Sequence, residues 1–414
     1  SNFNVPRSTF VDCMKALKED ARLALEGLPW EYGDAAEMQR LSAKYAGADQ
    51  GKVTRVFGAN FIGRMSGKVV EAFVAKADLL AASPAYSDQS GVDWKTAAAS
   101  AAKVLNHIGG VDGMDPTGWT WYCNVDDIEK LSPTESPAEI LWRGERAKSL
   151  SLEEDNFPPT LYGNGRINPT QNLVDAFPML NGYPVSHLSG EYDENLPYAN
   201  RDPRLEAYIL YNGCKAGNTN KEIFTAADGT TNDALNKVVG RSTRTGYYLR
   251  KLLRQDISLD PNAKADQYHY TPRIRYTEIF LAYAEAANQA YGPQDKGGNG
   301  YSAYDVVKKL RHRAGIGRDN GDAYLESIKN DQAKMAELIR NERRIELCFE
   351  GFRFWDLRRW KSNLTETAKG MNISGTRYTP MEVDKRSFSE YMYYGPIPYS
   401  EVLKYDELKQ NQGW

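Results

Sequence analysis

Apolar residues recur at Val69/Val70, Phe73, Ala77 and Leu80, the spacing of one helix face, and Ser83-Pro84 ends the run. A second helix is predicted after the capping residue Asp93, with Trp94, Ala97/Ala98, Ala101, Val104/Leu105 and Ile108 as its stripe and Gly109-Gly110 as its stop. The two predict a hairpin whose small faces, Ala72, Ala75, Ala97, Ala98, Ala99, Ala101 and Ala102, let the backbones approach closely. Earlier, Phe10, Met14, Leu17, Ala21 and Ala24/Leu25 mark one face of a helix over Ser8 to Leu25. The hairpin design returns near the C-terminus. Thr271-Pro272 predicts a helix start, followed by Tyr276, Ile279/Phe280, Tyr283, Ala286/Ala287 and Ala290 up to Gly292-Pro293. Ser302 then opens a partner helix through Val306/Val307, Leu310 and Ala314 to Gly315. Small residues at the crossing suit tetratricopeptide-like hairpins, although no 34-residue period is visible. Between these parts, residues 110–270 lose the helical period and are dense in Gly, Pro, Asn and Asp. Trp119, Trp121, Tyr122, Trp142, Tyr162, Tyr183, Tyr192 and Tyr198 are spread through that region, an aromatic content that disordered chains lack.

Composition narrows the function classes. The 414 residues are 41% hydrophobic and 26% charged, enough for a sizeable core. A net charge of −3 supplies no basic field for a phosphate backbone, so no nucleic-acid partner is expected. Cys13, Cys123, Cys214 and Cys348 are too scattered for a C-x-x-C pair, and the histidines form no H-E-x-x-H. Neither a disulfide scaffold nor a zinc enzyme is expected, and no cofactor is implied. No apolar run reaches the ~20 residues of a membrane-spanning helix.

The densest signal runs from Arg340 to Trp360. Projected at 100° per residue, Met335, Leu338, Ile339, Ile345 and Phe349 share one helix face, and Glu342, Glu346 and Arg353 fall inside it. Carboxylates on an apolar stripe need partners, because an unpaired buried charge costs several kcal/mol. The expected partners are Arg353, or Arg311 or Arg313 of the preceding helix. Two carboxylates also suit the acid and base of a glycosidase. That alternative is disfavoured, since crowding arginines lower a carboxyl pKa where a catalytic acid needs it raised.

Several motifs together identify a resemblance: Arg340-Asn341-Glu342-Arg343-Arg344, Phe349-Glu350-Gly351-Phe352-Arg353 and Asp356-Leu357-Arg358-Arg359-Trp360. Tyr283-Ala284-Glu285-Ala286, Leu310 to Gly315, Asn168 to Phe177, Arg201-Asp202-Pro203-Arg204, Pro396-Ile397-Pro398 and the final Asn411-Gln412-Gly413-Trp414 agree with them. Across nearly its whole length the chain resembles the SusD/RagB family, surface lipoproteins of Bacteroidetes that bind nutrients, most often glycans, for a TonB-dependent outer-membrane transporter. The resemblance implies an all-α fold, a tetratricopeptide-like helical-hairpin array with a loop-rich ligand-binding face. It divides a single domain, 1–414, into a helical-hairpin part (1–110), a loop-rich part (111–270) and a C-terminal helical part (271–414). It implies non-catalytic glycan binding at the outer-membrane cell surface and a SusC-like, TonB-dependent transporter as partner. A peptide- or protein-binding scaffold of the same family is the alternative. Family members carry a signal peptide, a lipidated Cys and a further N-terminal helical region before a stretch like Val5-Pro6-Arg7-Ser8-Thr9. The sequence shows none of these, so membrane attachment is expected only through an N-terminal lipid anchor absent from this chain, and the ligand site is expected to be incomplete. The C-terminal motif is not the family's ligand site.

Sugars present flat C–H faces and polar rims, so their sites pair aromatic platforms with Asn, Asp or Arg. Trp119 and Trp121, in a Gly/Pro-rich segment outside every amphipathic stripe, are the first candidates, with one of the two expected to face ligand. Tyr162, Asn164 and Arg166 are the second group, exposed by the glycines between them. Asp126-Asp127 with Glu129, and Glu153-Glu154-Asp155, offer oxygen ligands for Ca²⁺, but no twelve-residue loop spacing supports them and solvated acidic loops are the expectation.

Overall fold

The computed structural model describes residues 4–45 and 49–414. The first helix runs from Phe10 to Gly27 (α1), where Thr9 accepts a hydrogen bond from the Asp12 amide. The hairpin follows as Gly67–Ala82 (α2) and Trp94–Asn106 (α3). Asp93 caps α3 by accepting from the Thr96 amide, satisfying one of the donors that a helix start leaves open. Helix α3 packs on α2 and on Tyr276–Tyr291 (α4), with Ala72, Ala75, Ala97, Ala98, Ala101 and Ala102 buried in their shared core. From Thr277 to Asn288 every residue of α4 is buried, which is why that helix is apolar nearly all round. Ala303–Arg313 (α5) starts at a capping box formed by Ser302 and Asp305, and Gln332–Glu346 (α6) packs against both α4 and α5.

Thr271-Pro272 does not start α4. Both residues lie in the strand Gln267–Arg275 (β2), which pairs antiparallel with Ile140–Ser149 (β1). Pro272 stands opposite Arg143 at a shift in register, where a strand tolerates a residue without an amide proton. The described residues hold four such two-stranded ladders, so the chain is α-rich rather than all-α. The loop-rich region also has cores of its own. Trp121, Tyr122, Phe177, Tyr208 and Tyr247 form one, and Phe157, Leu210, Tyr248, Leu249 and Leu253 belong to another.

Helix α6 ends at Glu346. Phe349 (φ 63°) and Gly351 (φ 85°) adopt left-handed conformations before a new helix, Phe352–Arg359 (α7), begins. A projection that treats 335–353 as one helix fails at this break, and Arg353 is not a partner of Glu342 or Glu346. It is half-buried on α7, where burial, reinforced by the neighbouring Arg344, depresses its guanidinium to about 10.

The carboxylates are nonetheless buried and paired. Arg204 lies 2.8 Å from Glu342, 3.0 Å from Glu346 and 2.8 Å from Asp202, all four side chains being fully enclosed. Arg311 binds Glu342 at 2.9 Å and Asp322 at 2.6 Å, and Arg313 approaches Glu346 at 3.3 Å. Arg275 extends the network to Glu139 and Glu350, each at 2.7 Å. These bonds tie Glu139 to the end of β2, and the start of the short helix Pro203–Tyr208 to α6. Burial alone would raise the Glu346 carboxyl, but Arg313, Arg204, Arg275 and Lys251 outweigh it and hold the group down at about 2. A catalytic acid needs the opposite shift.

Candidate functional site

The Trp119 segment is a succession of turns. The Asp115 carboxylate accepts from the Thr117 amide at 2.9 Å, and the Thr120 amide donates to the Thr117 carbonyl at 2.8 Å. Gly118 is required by close approach, since a Cβ there would lie 2.3 Å from the Glu139 carboxylate and 2.7 Å from the Arg313 guanidinium. The ion-pair network thus passes directly behind the segment. The Tyr208 hydroxyl donates to the Trp119 carbonyl at 2.8 Å.

The two indoles part company. Trp119 is half-buried and lines a cleft of about 550 Å³. Its other walls come from the turn Met179–Leu180–Asn181, from Gly190, Glu191, Asn200 and Pro203, and from the turn after α5, Ala314 to Asn320. Backbone bonds hold those walls together: the Gly317 amide donates to the Leu180 carbonyl at 2.8 Å and the Leu180 amide to the Asn200 carbonyl at 2.7 Å. Asn320 Nδ2 donates to the Asn181 carbonyl at 2.8 Å. Arg311 reaches from the buried network to the Gly182 carbonyl at 2.8 Å. Glu191 (φ 58°) and Asn200 (φ 52°) are non-glycine residues in the left-handed region, a strain that clusters at binding loops. At the rim, Asn200, Glu191, Arg318 and Asp319 are exposed, and Arg318 has no ion-pair partner among the described residues.

Trp121 is 4% exposed and packs edge-on against Tyr122 at 5.7 Å in the loop-region core. Trp121 also lines a separate cavity of about 560 Å³ between the β1–β2 ribbon, Glu278 at the start of α4 and Phe352 of α7. Burial raises the Glu278 carboxyl there, against the opposing pull of Lys76 at 2.7 Å.

The second predicted group lies apart from the Trp119 cleft. Tyr162 is 54% exposed in a left-handed conformation, and neither it nor Asn164 nor Arg166 lines that cleft. Asn164 is half-buried, its amide donating to the Glu154 carbonyl at 2.9 Å, and Arg166 pairs with Asp155 at 3.2 Å. The acidic loops have ordinary employment. Glu153 is buried and accepts from the Arg254 amide at 2.8 Å and faces His269 Nε2 at 3.0 Å, while Asp127 is bonded by Asn124. Among the described residues no group of three or more His, Cys, Asp or Glu is placed to hold a metal ion.

Asn181, Asn200, Arg318 and Asp319 were not among the sequence candidates. Their signal was present as turn chemistry, Asn181-Gly182 and Gly317-Arg-Asp-Asn-Gly321, but nothing in a linear pattern joins those turns to Trp119.

Comparisons with known proteins agree with this architecture. A sequence model of the SusD family matches residues 142–414. Two SusD-like proteins of Formosa agariphila are similar in part. One is 33% identical over 85 residues, 20% of this chain and 16% of its own length, and the other 32% identical over 152 residues, 36% and 26%. The matched stretches span about a quarter or less of those relatives. A solved SusD-like protein of Bacteroides fragilis superposes on 100% of this chain and 73% of its own at 25% identity, TM-score 0.71. A SusD-like carbohydrate-binding protein of the same organism covers 96% of this chain and 79% of its own at 20% identity, TM-score 0.64, a likeness of fold.

Proposed function

The chain belongs to the SusD family, and on that footing we propose that it binds glycans without turning them over and delivers them to a TonB-dependent, SusC-like transporter at the outer-membrane surface. The observation that carries this reading is the Trp119 cleft, where a half-buried indole adjoins exposed Asn, Asp, Glu and Arg side chains. An aromatic face takes the C–H surface of a sugar ring, and the rim groups bond its hydroxyls. Its volume lies within the range of small-molecule sites. The carboxylate pair that the sequence offered for catalysis is not available to a ligand, since Glu342 and Glu346 are fully enclosed and paired with arginine.

The finer parts of the reading go with it: a tetratricopeptide-like arrangement of the helix pairs, one domain with the 1–110, 111–270 and 271–414 parts, and attachment by an N-terminal lipid. Tyr162, Asn164 and Arg166 form an outlying contact rather than the main platform, and Trp121 supports the loop core behind it. Among the described residues no helix is long and apolar enough to cross a membrane. The test is a glycan array run beside a peptide library on the purified chain, followed by product analysis of any bound oligosaccharide. Selective binding of a glycan with no shortened products is the expected result. Peptide binding alone would favour the scaffold alternative, and released sugars would overturn the non-catalytic assignment.

A further inference from the structure

A groove of about 700 Å³ lies between the turn after α3, the 293–301 loop and α5. Lys308 and Lys309, four and three residues before His312 on α5, line it together with that histidine, and Lys296 lines it from the loop. Lys308 has company in the Tyr304 hydroxyl at 3.1 Å and Glu326 at 3.5 Å. Among the described residues Lys296, Lys309 and His312 have no such partner, although Lys309 is half-buried. Other half-buried lysines are paired, Lys68 with Glu31 and Lys76 with Glu278. Two carboxylates share the groove: Asp112 on the α3 turn, and Asp305, one of whose oxygens already accepts from the Ser302 amide at 2.8 Å and hydroxyl at 2.9 Å. The back wall includes Tyr301, 8% exposed, whose hydroxyl is buried without a hydrogen-bond partner. Its ring is fixed by Tyr283 at 4.7 Å and by Gly110, where a Cβ would come within 2.7 Å of it.

We propose that this groove is a second ligand site, taking a saccharide that carries an oxyanion, either a uronate carboxylate or a sulfate ester. The oxyanion supplies the charge that the lysines lack in the protein, and charge-assisted bonds of this kind are about twice as strong as neutral ones. The groove has the volume of a small-ligand site. The saccharide half of the assignment rests on the carbohydrate reading above, whereas the anion half rests on the groove.

The experiment measures binding of three oligosaccharides of matched length, neutral, uronate-containing and sulfated, with polyaspartate as a fourth probe. Each is titrated into the parent chain, a Lys296→Gln/Lys308→Gln/Lys309→Gln variant and Trp119→Ala, with circular dichroism to confirm that the substitutions leave the fold intact. At least one acidic oligosaccharide should bind about tenfold or more weakly to the lysine variant, the loss of one or two charged bonds, and should weaken further with salt. Which acidic probe it is identifies the oxyanion. Unchanged affinity in the lysine variant, or equal binding of polyaspartate, would overturn the proposal. Neutral binding lost in Trp119→Ala without any acidic preference sinks this second site alone. Failure of every saccharide to bind sinks the carbohydrate reading as well.

Discussion

The buried carboxylate network and the Trp119 cleft lie back to back, separated by the turn at Gly118, yet they treat polar groups in opposite ways. In the network each charge has an opposite charge within 3.3 Å, as at Arg204 with Asp202, Glu342 and Glu346. In the cleft the rim groups Arg318, Asp319 and Asn200 stay in water with their bonding capacity open. A saturated cluster of charges marks a structural anchor, and a half-satisfied set beside an aromatic ring marks a place for a ligand. The richest motif in the sequence belongs to the first kind.

The sharpest break of this comparison is Arg204→Ala. It should destabilise by ~3 to 5 kcal/mol in denaturant unfolding, because it strands buried Asp202 and two glutamates. Arg353→Ala, outside the network, should cost about 1 kcal/mol or less. Equal losses would show that the division is drawn in the wrong place. Next in size is a pH effect. The folded Glu346 carboxyl sits at about 2, below its ordinary 4.5, so its contribution is fully present above pH 4.5 and is lost as pH falls toward 2. It is on the order of 3 kcal/mol. Thermal unfolding from pH 6 to pH 3 should therefore be steeper in the parent than in Glu346→Gln, and parallel curves would remove Glu346 as the source. The smallest effect separates the cleft from the outlying Tyr162 group. Trp119→Ala should weaken glycan binding by ~1 to 3 kcal/mol, by analogy with base–aromatic stacking, at unchanged stability. Tyr162→Ala should change binding by less than about 0.5 kcal/mol. A larger effect at Tyr162 than at Trp119 would move the site.

The helical part was legible because its signals are local. Asp93 and Ser302 cap the helices they were expected to cap, and the alanine faces meet as their spacing predicts. Burial of Glu342 and Glu346, and their need for Arg311 and Arg313, also followed from one helix projection and the cost of an unpaired charge. Arg204 could not be found that way, lying 138 residues from Glu342 along the chain. Arg353 was misplaced because Phe349 and Gly351 turn the backbone left-handed, a change that no apolar period announces. The loop face was read least well. Trp119 and Trp121 are alike in sequence context and meet the same loop-region core, yet only tertiary structure makes Trp121 a member of that core and leaves Trp119 half-buried at the Met179–Asn181 cleft.

Arg311 has a consequence beyond stability. One guanidinium holds Glu342 and Asp322 and also the Gly182 carbonyl in the turn beside the cleft. That turn cannot swing away without exposing a buried charge, so the cleft keeps its shape before any ligand arrives. A ligand entering it would meet walls whose ordering entropy has already been spent during folding, leaving only its own freedom and that of the rim side chains to lose.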